Sequence, residues 1–350
     1  MTQAYATRPI SQFNPADIDP YRSYAEIFNG DVPAEMNEEI IYSCRPNQTG
    51  KDTPAGIAMP ALMGGMNGLN LTQDVADAFY MADGTSYSLP AQHWEPIGTD
   101  KKFSGYTLKA NVAKMYDNRE MRFYVSMGFC HCYWPGTSYS GNDNTLKNVE
   151  VQYYVDGNAG PPANFAVDYN HSGYTCKKYV HPEDNLKGSL KPKSFPIYRY
   201  AEILLNYAEA LNELDGTYTE GDITVTGRDE DGILNAFNQI RYRVGLPGLT
   251  SLPSREEMRE LIKHERRIEF VCEGHRYHDL RRWGDAQYAY NKPVLGMNIK
   301  AKKSEREAFY TITTLNDDKA RRYFDYKNNF WPIPKSAMNK NSKLIQNPGW

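Results

Sequence analysis

The twenty residues from Glu265 to Gly284, reading ERRIEFVCEGHRYHDLRRWG, constrain the fold of this 350-residue chain most tightly. Ser254 followed three residues later by Glu257 has the form of a capping box, which opens a helix ahead of that run. Counted at 100° per residue from Met258, the positions Ile262, Glu265, Glu269 and Cys272 fall within about 40° of one line, with Leu261 and Ile268 at its edge. Two carboxylates therefore point to the apolar side of the helix. A desolvated carboxylate is costly unless it is paired, hydrogen-bonded or protonated. Arg276 returns to the same line if the helix continues through Gly274, and folds back if Gly274 ends the helix in a left-handed cap. Glu265, Glu269, Arg276 and Asp279 are therefore expected to form a buried structural ion network. Acid/base catalysis by Glu265 and Glu269 is the competing reading. The interleaved arginines weaken it, because a cation beside each carboxylate lowers its pKa and leaves no proton donor.

Composition narrows the function classes. A net charge of −3 gives no electrostatic reason to expect nucleic acid as a partner. The chain holds 27 Tyr against 13 Phe at a mean hydropathy of −0.69, a combination suited to surfaces that offer flat, half-polar rings to polar ligands. Five cysteines at uneven spacing do not make a disulfide framework. No apolar run reaches the roughly 18 residues of a membrane span, and the N-terminus carries neither a signal peptide nor a lipobox.

Along the chain, Tyr21 to Phe28 reads as a short helix, Asn37 to Ser43 as a strand entry, and Thr49 to Asn70 as a Gly-, Pro- and Met-rich loop. The Gly64–Gly68 cluster lacks the Lys-Ser/Thr and the strand-loop-helix setting of a phosphate loop. Leu71 to Met81 reads as an amphipathic helix ended by Asp83-Gly84. Residues 85–195 read as loops and short strands, with the alternation of Phe123, Val125, Met127 and Phe129 marking a strand. Cys130, His131 and Cys132 have zinc-ligand chemistry, but on a strand His131 faces away from the two thiols and no second ligand pair follows, so buried thiols and no bound metal are expected. Helices are expected from Pro196 to Leu214 and from Gly232 to Val244, with Ala201 and Ala208 permitting close approach. No cofactor is implied.

The runs Glu265–Glu269, Glu273–Arg276 and Asp279–Gly284 closely resemble the signature of the SusD/RagB family of outer-membrane nutrient-uptake lipoproteins of Bacteroidetes. Tyr200–Leu211, Asn238–Pro247, Asn329–Lys335 and Gln346–Trp350 look like further family segments in the family's order. So does Met115–Met127, where Met121 stands in place of the usual proline. The resemblance implies a mainly α fold, a tetratricopeptide-like helical scaffold with a large loop-rich region and a few short strands. It divides the chain into residues 1–195, loop-rich and the candidate ligand-binding region, 196–290, the helical scaffold, and 291–350, a C-terminal packing segment. It also implies a non-catalytic surface protein that holds a glycan or other nutrient over a SusC-type TonB-dependent transporter at the outer membrane. Family members begin with a lipoprotein signal and further scaffold helices, so this chain is expected to be a C-terminal part. Trp94, Tyr133, Trp134 and Tyr139 are the expected stacking rings for a sugar's C–H face. A glycoside hydrolase on a helical scaffold and a helical-repeat protein-binding adaptor are the alternatives.

Overall fold

The computed structural model describes residues 18–44, 52–103, 106–134, 149–164, 168–186, 188–316 and 320–350. Its scaffold is helical. The helices Tyr200–Glu213, Glu230–Arg243 and Arg255–Glu269 pack around one core, with Ala201, Leu205, Ala208 and Leu211 against Ile233, Phe237, Ile240, Met258 and Ile262. The alanines bring the first helix close to the second, as in a tetratricopeptide-like pair. The capping box forms, Ser254 N donating to Glu257 Oε2 at 3.1 Å and Glu257 N to Ser254 Oγ at 3.3 Å. Gly274 sits at φ +88 and ends the run from the Arg255–Glu269 helix, so the next helix, His275–Arg282, starts in a new direction.

Strands among the described residues pair as two-stranded antiparallel ladders. Ile40–Cys44 lies beside Phe195–Arg199 and Met127–Phe129 beside Tyr174–Cys176. Two expectations need correction here. The stretch from Phe123 to Phe129 is a helix, Met121–Ser126, followed by a three-residue strand. Nearly every residue of it is buried, so its apolar alternation carried no information about one exposed face. Pro196 does not open a helix either. It lies in a strand, and the helix begins at Tyr200. The missing N–H is tolerated because a two-stranded ladder is all edge.

The larger core draws mostly on residues before 195 but also on Val244, Ile268, Met297 and Phe309 from later in the chain, and is built largely from aromatic rings, among them Tyr24, Tyr116, Phe123, Tyr124, Phe129, Trp134, Tyr153, Tyr154, Tyr174 and Tyr310. Much of the tyrosine content thus serves packing. Many of the hydroxyls are satisfied inside, as where Tyr116 OH donates to Tyr174 OH at 3.1 Å and Tyr174 OH to Gln73 Oε1 at 2.7 Å. No helix among the described residues is long and apolar enough to cross a membrane.

Candidate functional site

Glu265 and Glu269 project from one helix into the seam between the two cores, and both are fully buried. Arg122 Nη1 donates to Glu265 Oε1 at 2.6 Å and to Glu269 Oε2 at 2.9 Å, so one guanidinium bridges both carboxylates. Its Nε donates to Glu120 Oε2 at 2.6 Å. Arg199 Nη1 donates to Glu269 Oε1 at 2.6 Å and Arg199 Nε to Glu273 Oε2 at 2.7 Å. Arg243 also donates to Glu269, Arg241 to Glu265, and Lys178 to Glu273. With Glu39 on Arg199, the cluster sets the cations Arg122, Arg199, Arg241, Arg243 and Lys178 against the carboxylates Glu39, Glu120, Glu265, Glu269 and Glu273. Burial alone would lift the Glu269 carboxyl, but the guanidinium groups of Arg243, Arg199 and Arg122 more than reverse it and hold it well below the usual range. Glu273 is held down in the same way by Arg199 and Lys178 against its burial.

Arg276 is not part of this cluster. The left-handed turn at Gly274 carries it away, into a groove of about 650 Å³ shared with Arg267, Arg322, Tyr277 and Tyr288. The places expected for it are filled by Arg122, Arg199 and Arg243 from distant parts of the chain. Asp279 forms a separate cluster, accepting from Arg266 Nε at 2.9 Å and from Arg282 Nε at 2.9 Å. Arg282 and the Trp283 indole N–H then reach Glu209 on the Tyr200–Glu213 helix, at 2.6 and 2.8 Å, and so tie the signature run to the scaffold.

The aromatic candidates fall in different environments. Trp94 and Tyr133 are half-buried, and a polar cluster joins the segments that carry them. Arg306 Nε donates to the Trp94 carbonyl, Nη2 to Asn111 O at 2.7 Å and Nη1 to Tyr154 OH at 3.3 Å. His131 stands between Tyr154 OH at 3.1 Å and Glu150 Oε2 at 3.0 Å, and Asn111 Nδ2 donates to the same Glu150 oxygen at 3.3 Å. Tyr133 pairs with Glu150 through a backbone bridge, and Lys109 Nζ lies 5.8 Å over its ring. Trp94 and Tyr133 are thus half-buried rings on segments linked through Arg306, Tyr154, His131 and Glu150. Trp134 corrects the expectation that it offers a stacking face. Its side chain is 1% exposed, against Gly128. Tyr139 lies outside the described residues.

Burial pushes the Cys130 thiol up to about 12 and raises that of Cys132, so both are neutral side chains of the core. Among the described residues no three His, Cys, Asp or Glu side chains gather as a metal site.

Residues 28–350 match the family described as the SusD family. The chain belongs to the SusD family. A SusD-like protein of Formosa agariphila is 33% identical over 102 residues, 29% of this chain and 19% of that protein. A SusD-like protein of Bacteroides fragilis superposes with a TM-score of 0.68 at 27% identity, over 95% of this chain and 58% of that one. A SusD-like carbohydrate-binding protein of the same species superposes with a TM-score of 0.65 at 22% identity, over 92% of this chain and 57% of that one. The chain thus spans less than two thirds of the length of these relatives.

In this SusD-family fold, sequence reasoning missed most partners of the ion cluster. Some had a signal. Arg122 is a lone guanidinium in the otherwise apolar stretch Met121–Phe129, and Arg241 and Arg243 stand among buried apolar positions of their helix. Such a charge must find a counter-charge. Arg306, Asn111 and Glu150 had none, because each is an ordinary polar residue brought near Trp94 or Tyr133 only by folding.

Proposed function

We propose that this SusD-family chain serves the non-catalytic capture of a polysaccharide or oligosaccharide at the outer surface of the outer membrane, and its delivery to a SusC-type TonB-dependent transporter. The observation that supports the reading is the pair of half-buried rings Trp94 and Tyr133, on segments linked through Arg306, Tyr154, His131 and Glu150. Family membership supports it, as does the similarity to a solved SusD-like protein described as carbohydrate-binding. Within the proposal, residues 1–195 supply the binding region, 196–290 the scaffold and 291–350 a packing segment. A hydrolase needs two accessible carboxylates about 5–9.5 Å apart across a cleft. Glu265 and Glu269 are instead sealed in the core with one guanidinium bridging them, which supports binding without turnover.

Isothermal titration against a panel of surface polysaccharides tests the first half. A binding glycan is expected, with affinity falling about 10-fold in Trp94→Ala and in Tyr133→Ala, the loss of roughly 1.4 kcal/mol of ring contact. Unchanged affinity in both variants would count against this surface, and turnover of the bound glycan would count against a purely binding role. Co-purification of the protein with a TonB-dependent transporter from solubilised outer membranes tests the second half.

A further inference from the structure

Three cations line the groove of about 650 Å³ beside the Gly274 turn without a counter-ion. Arg276 is half-buried, yet it makes no hydrogen bond or ion pair among the described residues, and none of its guanidinium nitrogens is sealed from solvent. Burial first, and then the nearby Arg267 cation, push its pKa below the ordinary guanidinium value, although a guanidinium stays charged at neutral pH. Arg322 and Lys292 are exposed and likewise form no ion pair among the described residues, Lys292 Nζ lying 3.9 Å from the centre of the Tyr288 ring.

The carboxylates of the groove are already answered. Asp74 pairs with Arg267 Nη2 at 2.6 Å, and Glu260 and Asp285 share Lys263 Nζ at 3.1 and 2.9 Å. Five cations thus line the groove against three carboxylates, and the positive excess rests on Arg276, Arg322 and Lys292. Burial raises the Tyr290 hydroxyl, while Arg276 and Arg322 oppose it, so both guanidinium groups lie near this one ring. Tyr277 stands 6.2 Å from the same ring. A guanidinium fork matches two oxygens of a carboxylate or sulfate, and a tyrosine ring accepts the C–H face of a pyranose. The volume is in the middle of the range for ligand pockets and takes more than one sugar ring.

We propose that this groove is a second glycan site, which takes an anionic oligosaccharide with its carboxylate or sulfate groups on Arg276 and Arg322 and its sugar rings beside Tyr277 and Tyr290. The assignment rests on the proposed glycan capture, and adds an acidic chain to the substrate class and a site built from residues other than Trp94 and Tyr133.

The test is titration of the purified chain with trigalacturonate, its methyl ester, a sulfated galactotriose, neutral galactotriose, inorganic sulfate and polyglutamate. One or both acidic sugars are expected to bind at least about 10-fold more tightly than the ester and the neutral trimer, with the preference shrinking as salt rises. The tighter of the two identifies the anion. Equal binding of acidic and neutral sugars by the unaltered protein overturns the proposal, and that comparison needs no variant to fold. Arg276→Gln should remove most of the preference and leave the thermal midpoint of the ligand-free protein unchanged, because the replaced side chain holds nothing. An undiminished preference in the double variant Arg276→Gln, Arg322→Gln overturns the site. Inorganic sulfate binding as tightly as the acidic sugars means an adventitious ion only, and polyglutamate binding as tightly means an acidic protein segment; each overturns the sugar assignment. A chain that binds neutral glycans through Trp94 and shows no preference for acidic ones defeats this site alone. One that binds acidic oligosaccharides through Arg276 and no whole polysaccharide defeats the capture reading alone.

Discussion

Glu269 is the residue on which most of the buried charge converges, with Arg122, Arg199 and Arg243 all donating to its carboxylate. Removing one partner of a buried pair strands the others, which costs about 3–5 kcal/mol. Glu269→Gln is therefore expected to lower the urea-unfolding free energy by that order, while ligand affinity per folded molecule stays unchanged. Loss of affinity at full stability would assign the carboxylate to the binding site instead. The pH dependence has a definite sign. The folded carboxyls of Glu269 and Glu273 lie below the ordinary value of 4.5. Their stabilisation is complete above that value and drains away as pH falls through the folded values. The stability gap between the native protein and Glu269→Gln should accordingly be constant near neutrality and shrink below about pH 4.5, as followed by urea melts at successive pH values. At this scale the sequence was half legible. The burial of Glu265 and Glu269 followed from helical periodicity, but their partners did not, because a guanidinium 70 or 147 residues away from Glu269 leaves no periodic trace.

Among the elements, the helices of the scaffold were legible because each carries its own local signals: an apolar stripe at helical spacing, a capping box at Ser254, a left-handed glycine at Gly274. Gly274 tests that local logic. A Cβ added there meets nothing within 4 Å, so any cost of Gly274→Ala is conformational, at φ +88. It is expected to be about 1–2 kcal/mol, read as a lower thermal midpoint. No loss of stability would mean that the turn relaxes. Where burial surrounds an element on every side the local signals fail, as they did for Met121–Ser126, whose alternating apolar residues suggested a strand. Pro196 misled for a related reason: a proline suits a first helical turn and an edge strand alike, and only pairing with Ile40–Cys44 chose between them.

Taken whole, the molecule is held together across its regions by the ion cluster. Glu39, Arg122 and Lys178 come from before the Phe195–Arg199 strand, and Arg199, Arg243, Glu269 and Glu273 from that strand and the scaffold helices and turn after it. Neither part can separate without stranding buried charge, so a single cooperative transition is expected in differential scanning calorimetry; two resolved transitions would show that the regions unfold independently. Trp134→Ala, deep in the aromatic core, is expected to cost about 3–5 kcal/mol through the cavity it leaves. The primary structure by itself determined the helical scaffold, the inward carboxylates of the signature helix and the family, because periodicity, caps and short motifs act over a few residues. Which rings are buried and which are half-exposed, and which arginines meet Glu265 and Glu269, were decided only by tertiary structure. Those features depend on side chains that are distant along the chain and become neighbours only when the two cores close on the seam between them.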